Sequence, residues 1–145
     1  MGAQKRQKGS GLDFLIQYGE KIVNKQPMKA AEAADAPIIG KIPKGAFLIM
    51  YDPDAPRSVG TYLHWLQGVP ATIATMRAPG EEIVYMPYTG PSPPPGTGVH
   101  RYIFKLVKGK PLSIPKLRAD TDVDAIIGEQ PVLYENYFKV ASLTS

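Results

Sequence analysis

The chain contains no cysteine. Disulfide staples and thiolate metal sites are therefore excluded, and the absence fits a reducing, cytoplasmic setting. Long hydrophobic runs are missing too. The longest, residues 46–51, is six residues long, against the roughly 20 apolar residues that a membrane-spanning helix needs. The N-terminus has no apolar stretch of the kind a secretory leader carries. Net charge is small in most of the chain. Of the net +4, three charges come from Lys5, Arg6 and Lys8, which leaves the rest at +1. A body so close to neutral argues against a nucleic-acid partner. Residues 1–11 set glycines and serine around those cations and read as a disordered basic arm. Met1-Gly2 is followed by Arg6, where an acylation signal needs serine or threonine, so no myristoylation is expected. Residues 12–145 read as one domain of ordinary size.

Turn formers, by contrast, are abundant: 14 glycines and 15 prolines. They are spread as punctuation between short apolar segments, the pattern of an all-β domain. Strands are predicted over 14–18, 63–66, 82–86 and 137–143. Residues 46–51 form a continuous apolar run, as expected of a strand covered on both faces. Residues 100–108 alternate, with His100, Tyr102, Phe104 and Leu106 on one face. An alanine-rich stretch, 28–35, is compatible with a short helix or with an extended or turn role. A short helix is predicted over 120–127, with Asp120 or Thr121 near its start and Gly128 at its end.

Two segments carry the chemistry. Asp52-Pro53-Asp54-Ala55-Pro56 follows the buried strand and leads to Tyr62-Leu63-His64-Trp65-Leu66. Residues 87–98 hold five prolines and three glycines and run into His100-Arg101-Tyr102. Proline leaves that loop little freedom to lose, and its glycines are expected to leave backbone N–H groups free for a ligand oxygen. The only two histidines of the chain fall in these two segments. An imidazole, neutral or protonated, can donate to a phosphate oxygen, and Tyr102 can add an O–H. Asp52 repels an anion, so it is expected to orient a histidine or to meet a ligand ammonium group. Asp54 is expected to brace the loops, Arg101 to form a structural ion pair, and Trp65 to lie in the core.

The same residues leave two other chemistries open. One is hydrolysis with His64 or His100 as base and Ser58 or Ser92 as nucleophile, although no Gly-x-Ser-x-Gly elbow is present. The other is a metal site built from both histidines and Asp52, without the i, i+4 spacing of a helical site.

The two motifs, in this order and at this spacing, resemble those of the phosphatidylethanolamine-binding protein family. The likeness is strong in 51–66 and 88–106 and weaker across the remainder of 12–142. It implies a mainly β fold, a large antiparallel sheet packed on a smaller one with Greek-key connections and one or two short helices. It also implies a pocket for a phosphate-type anion or a phosphorylethanolamine-like headgroup, lined by Asp52, His64, Gly90, His100 and Tyr102. Tyr62 stands where many members have tryptophan and keeps a flat wall. The connection from Pro56 to Tyr62 is shorter than usual. Many animal members end in a helix over the pocket mouth, whereas this chain reaches Ser145 soon after its last predicted strand, so a more open pocket is expected. No cofactor, resident metal or catalytic activity is implied. A kinase or protease partner is implied by some members, and peripheral contact with a membrane stays open.

Overall fold

The computed structural model describes residues 13–56, 60–71 and 82–143. The expected basic arm, the connection at 57–59 and Ser58 with it lie outside those residues. The fold is mainly β and is built around its most apolar strand, β4 (Ala46–Asp52), which is buried along its whole length. Ala46, Leu48 and Met50 pack into an inner core layer with Phe14, Ile16 and Tyr18, while Phe47, Ile49 and Tyr51 pack into an outer layer with Ile126 and Ile127. A strand with apolar residues on both faces is stable only in the middle of a sheet with both sides covered. At about 2 kcal/mol for each large side chain buried, this strand contributes heavily to the drive for burial.

Around β4 lie β5 (Tyr62–Val69), β6 (Ile83–Met86), β7 (Val99–Lys108) and β8 (Val132–Ala141). They form a five-stranded antiparallel sheet in the order β6-β5-β4-β7-β8. A smaller sheet, ordered β2-β1-β3, comprises β1 (Ile16–Tyr18), β2 (Lys21–Ile22) and β3 (Ile38–Ile39). On β7 the alternating face is buried as its pattern predicts: His100, Tyr102, Phe104 and Leu106 are all nearly inaccessible. The outer edge of β8 is covered by residues 25–28. Lys25 and Met28 donate to the Tyr137 and Lys139 carbonyls at 2.6 and 2.8 Å, and Lys139 donates to Gln26 at 3.0 Å. That contact blunts an edge that would otherwise be open to further strand pairing.

Strands β4, β5 and β6 follow one another as neighbours, and β7 then returns to lie beside β4. This is a Greek key. Its return connection is the proline-rich loop 87–98, which spans the end of the sheet where β4 stops and β5 begins. The antiparallel register brings the ends of β4, β6 and β8 and the starts of β5 and β7 to this one end.

The predicted elements recur with shifted bounds. Residues 28–35 contain a 3-10 helix, Ala30–Ala33. Helix α1 is Val123–Ile127, capped by Asp122 rather than Asp120 or Thr121, with the Asp122 carboxylate accepting from the Ala125 N–H. Asp120 has φ 64°, outside the helical region, and Thr121 is tied to Thr61 and Arg118. The last strand begins at Val132 instead of 137 because β7 supplies a partner along its full length.

Candidate ligand pocket

All six residues singled out from the sequence, Asp52, Tyr62, His64, Gly90, His100 and Tyr102, line one cavity of about 350 Å³ at this end of the large sheet. Asp52 is the last residue of β4 and pairs with Tyr62, the first of β5. Its Oδ1 accepts the Asp54 N–H at 2.7 Å, the local turn that Asp-Pro favours. Its Oδ2 lies 2.7 Å from His100 Nδ1, and both side chains are buried. A carboxylate only accepts, so the ring nitrogen facing it carries the proton. Nε2 of His100 is 2.8 Å from Thr97 Oγ1, which itself donates to the Pro94 carbonyl at 2.6 Å. Both nitrogens of His100 are thus engaged by protein.

His64 reaches the cavity through an irregularity. Met50 faces Trp65 across the sheet while Tyr51 faces Leu63, which leaves His64 without a partner on β4. This β-bulge inserts one residue into β5. Strict alternation would put His64 on the same face as Leu66, in the outer core layer. With the extra residue, Leu63 and Leu66 both join the outer layer and Trp65 the inner one. His64 turns to the cavity, edge-on to Tyr62 and Tyr102 at 5.0 and 5.1 Å between ring centroids. The carbonyl freed by the bulge is not left bare: Thr89 donates to it at 2.9 Å and Arg118 Nη1 at 3.2 Å. Arg118 also donates to the carbonyls of Leu63 and Pro87.

The ring of His64 is fixed by Nδ1, which donates to the Thr89 carbonyl at 2.8 Å. Burial holds its pKa below the ordinary histidine value, assisted by the charges of Arg118 and His100. The Thr89 hydrogen bond and the Asp52 carboxylate pull the other way and do not prevail. The expectation that the imidazoles donate to an anion therefore needs correction. In neutral His64 the one N–H is already spent on Thr89, and His100 has both nitrogens occupied. Tyr102 keeps its phenol proton, because burial and the nearby Asp52 and Asp54 push its pKa up.

The loop is held from three sides. Tyr88 donates to the Ala33 carbonyl at 2.6 Å and receives the Tyr18 hydroxyl at 2.6 Å. Burial pushes Tyr88 up to about 12. A Cβ on Gly90 would stand 2.8 Å from the Ala33 carbonyl oxygen, so only glycine fits against the 3-10 helix. Gly96 and Gly98 have φ of 79° and 87°, a region that favours glycine. Their N–H groups do not wait for a ligand: Gly96 donates to the Leu143 carbonyl at 2.7 Å and Gly98 to Ser142 Oγ at 2.8 Å. Asp54 grips Arg101 through Nε and Nη2 at 2.8 and 2.9 Å and through its backbone N–H. That ion pair braces β7 against the first motif and holds the Asp54 pKa below the usual carboxylate value.

Sequence reasoning missed Thr89, Thr97 and Arg118. Thr97 sits in the Gly-Thr-Gly motif and was open to notice. Arg118 lies far from both motifs, with nothing local to mark it. Among the described residues no three histidine or carboxylate side chains come together as a metal site, and no helix is long and apolar enough to cross a membrane.

A small sheet packed on a larger antiparallel one, with a cavity at the end where strand termini gather, defines a β-sandwich with an end pocket. The sequence profile described as phosphatidylethanolamine-binding protein matches residues 7–134, and the chain belongs to this family. A UPF0098 protein of Mycobacterium tuberculosis is 38% identical over 98 residues, 61% of this chain and 47% of that protein. One of Aquifex aeolicus is 32% identical over 97 residues, 56% of each. The chain spans about half the length of these curated relatives. Among solved structures, a phosphatidylethanolamine-binding protein from Plasmodium vivax aligns with TM-score 0.68 and 22% identity, covering 90% of this chain and 85% of that one. A carboxypeptidase Y inhibitor, solved in complex with its cognate proteinase, aligns with TM-score 0.69 and 19% identity, covering 91% and 83%. These two likenesses concern the fold.

Proposed function

We propose that the chain is a non-catalytic binding protein whose end cavity takes a phosphate-type anion or a phosphorylethanolamine-like headgroup. The observation that carries this reading is the convergence of Asp52, Tyr62, His64, Gly90, His100 and Tyr102 on one cavity of about 350 Å³. That volume suits a small polar ligand. The tyrosine hydroxyls offer donors to its oxygens, and Asp52 offers a counter-charge to an ammonium group. The reading extends to regulation of a partner protein. For that extension the support is the fold shared with a proteinase inhibitor, and the partner, kinase or protease, is left to experiment. A cytoplasmic place of action belongs to the same reading.

Hydrolysis has one observation in its favour. Asp52, His100 and Thr97 form a carboxylate–imidazole–hydroxyl chain with links of 2.7 and 2.8 Å, the order of a hydrolytic triad. Two features count against it. The Thr97 hydroxyl gives its proton to Pro94, and the N–H groups of Gly96 and Gly98 that an oxyanion would need are used within the protein. Soaking crystals with phosphorylethanolamine tests the binding reading: density is expected between His64 and Tyr102. Ester turnover lost in a folded Thr97→Val variant would replace it with the hydrolytic one.

A further inference from the structure

The hydrogen-bond polarity of the cavity limits what it can hold. His64 lines the cavity, and because its Nδ1 spends the proton on the Thr89 carbonyl, the neutral ring keeps Nε2 as a lone pair. Asp52 adds acceptor oxygens, already in receipt of the Asp54 N–H and of His100. Donors come from other atoms. The hydroxyls of Tyr62, Tyr102 and Ser92 belong to residues that line the same cavity. The lining thus offers both acceptors and donors. A fully ionised oxyanion satisfies the tyrosines and sets its remaining oxygens against lone pairs. An oxyanion that still bears a proton satisfies both kinds of group, since its O–H donates where the protein only accepts.

Resting on the headgroup-pocket reading, we infer that the cavity selects a phosphomonoester in its proton-bearing monoanionic form, with the P–OH donated to His64 Nε2, and discriminates against oxyanions that carry no proton. The groups around His64 are consistent with this division. Asp52 from β4 and the Thr89 carbonyl from the loop favour a charged ring, while Arg118, His100 on β7 and burial oppose it. Tyr62 and Tyr102 pack against the ring in T-shaped contacts. A neutral His64 is the state that leaves an acceptor in the wall.

Calorimetric titration of the full chain with four probes tests the inference. Methyl phosphate carries the P–OH. Sulfate matches its shape without the proton, and dimethyl phosphate matches its single charge without the proton. Phosphorylethanolamine adds an ammonium. At pH 6, methyl phosphate is expected to bind at least about ten-fold more tightly than sulfate or dimethyl phosphate, a difference of ~1.4 kcal/mol. Raising the pH to 8 is expected to weaken methyl phosphate about 50-fold, following loss of the monoanion of an ester with a second pKa of about 6. His64→Phe, checked for folding by circular dichroism, is expected to bring the methyl phosphate to sulfate ratio close to one. Tighter binding of phosphorylethanolamine than of methyl phosphate identifies a headgroup as the source of the phosphate, and equal binding identifies a free monoester. Sulfate binding as tightly as methyl phosphate at pH 6, or methyl phosphate affinity unchanged between pH 6 and 8, overturns the inference and leaves the pocket reading standing. If none of the four probes binds, the pocket reading falls and the inference falls with it. The wild-type comparison of methyl phosphate with sulfate and dimethyl phosphate decides the matter even if the variant does not fold.

Discussion

Arg118 illustrates how a single side chain outside the cavity shapes it. Its guanidinium donates to the carbonyls of Leu63, His64 and Pro87, so it ties the bulge in β5 to the start of the return loop. A planar group with several fixed donors can span three acceptors, whereas a lysine ammonium cannot reach all of them in one geometry. Arg118→Ala is expected to cost about 1–3 kcal/mol of stability, the penalty for carbonyls left without donors, and Arg118→Lys to recover little of it. Denaturant unfolding measures both. Because the bulge orients His64, phosphoester affinity should fall as well, although Arg118 does not line the cavity. Unchanged affinity in a destabilised but folded Arg118→Ala would separate the bulge from the site.

Asp54 and Arg101 make the opposite case at the same scale. Their ion pair is bidentate but half exposed, and exposed pairs contribute about 0–1 kcal/mol. Asp54→Ala is expected to lower stability within that range and to leave ligand affinity nearly unchanged in calorimetry, since the Asp54 backbone N–H that serves Asp52 remains. A large loss of affinity would mean that the brace positions Asp52.

At the scale of elements, the site depends on a loop clamped between a 3-10 helix and the residues after β8. Gly90 lies so close to the backbone of Ala33 and Ala34 that a Cβ would meet atoms at 2.8 to 3.0 Å. Those atoms are main chain and cannot rotate aside. Gly90→Ala is therefore expected to push the loop off the 3-10 helix and cost about 1–3 kcal/mol, with loss of the Tyr88–Ala33 hydrogen bond visible in a crystal structure. Helix α1 is held differently. It has five residues and one side-chain cap, Asp122 on the Ala125 N–H. Asp122→Ala should cost about 1 kcal/mol in thermal or denaturant unfolding, without effect on binding, because α1 buries Ile126 and Ile127 in the outer core layer rather than in the pocket.

For the whole molecule, buried and paired ionisable groups set the pH dependence of stability. The pKa of His64 is lowered from 6.5 by burial. Below 6.5 the unfolded chain takes up a proton that the folded protein resists, so stability conferred by neutral His64 is present above that pH and drains away as pH falls toward the folded pKa. Asp54 is lowered from 3.8 by Arg101. It adds a second contribution of the same sign, fully present above 3.8 and given up as pH falls through its folded value. Unfolding free energy is thus expected to decline in two stages on acidification, with the first stage absent in His64→Phe. A flat profile from pH 7 to 5 in the wild type would show that His64 titrates normally.

The alternating pattern of β7, the two-faced burial of β4 and the order of the two motifs were legible in the chain itself, because each depends on residues close in sequence. An apolar run with no polar face has to lie in the middle of a sheet, and an alternating run has to present one face inward. The six pocket residues could be named because they sit inside two compact motifs that resemble those of the family, and the resemblance implies a pocket there. The bulge at His64 could not be read, since an extra residue in β5 is defined only against the register of β4. Nor could the two-residue strands β2 and β3, which take their shape from β1, or Arg118, which acts through carbonyls 31 and more positions away. Above all, the hydrogen-bond polarity of the pocket was decided by tertiary structure. The sequence by itself determined that two histidines and an aspartate stand in two motifs where strands meet loops. Which ring nitrogens still face the cavity depended on where Thr89, Thr97 and Asp52 came to rest, because a hydrogen bond is settled by angstroms in space and not by spacing along the chain.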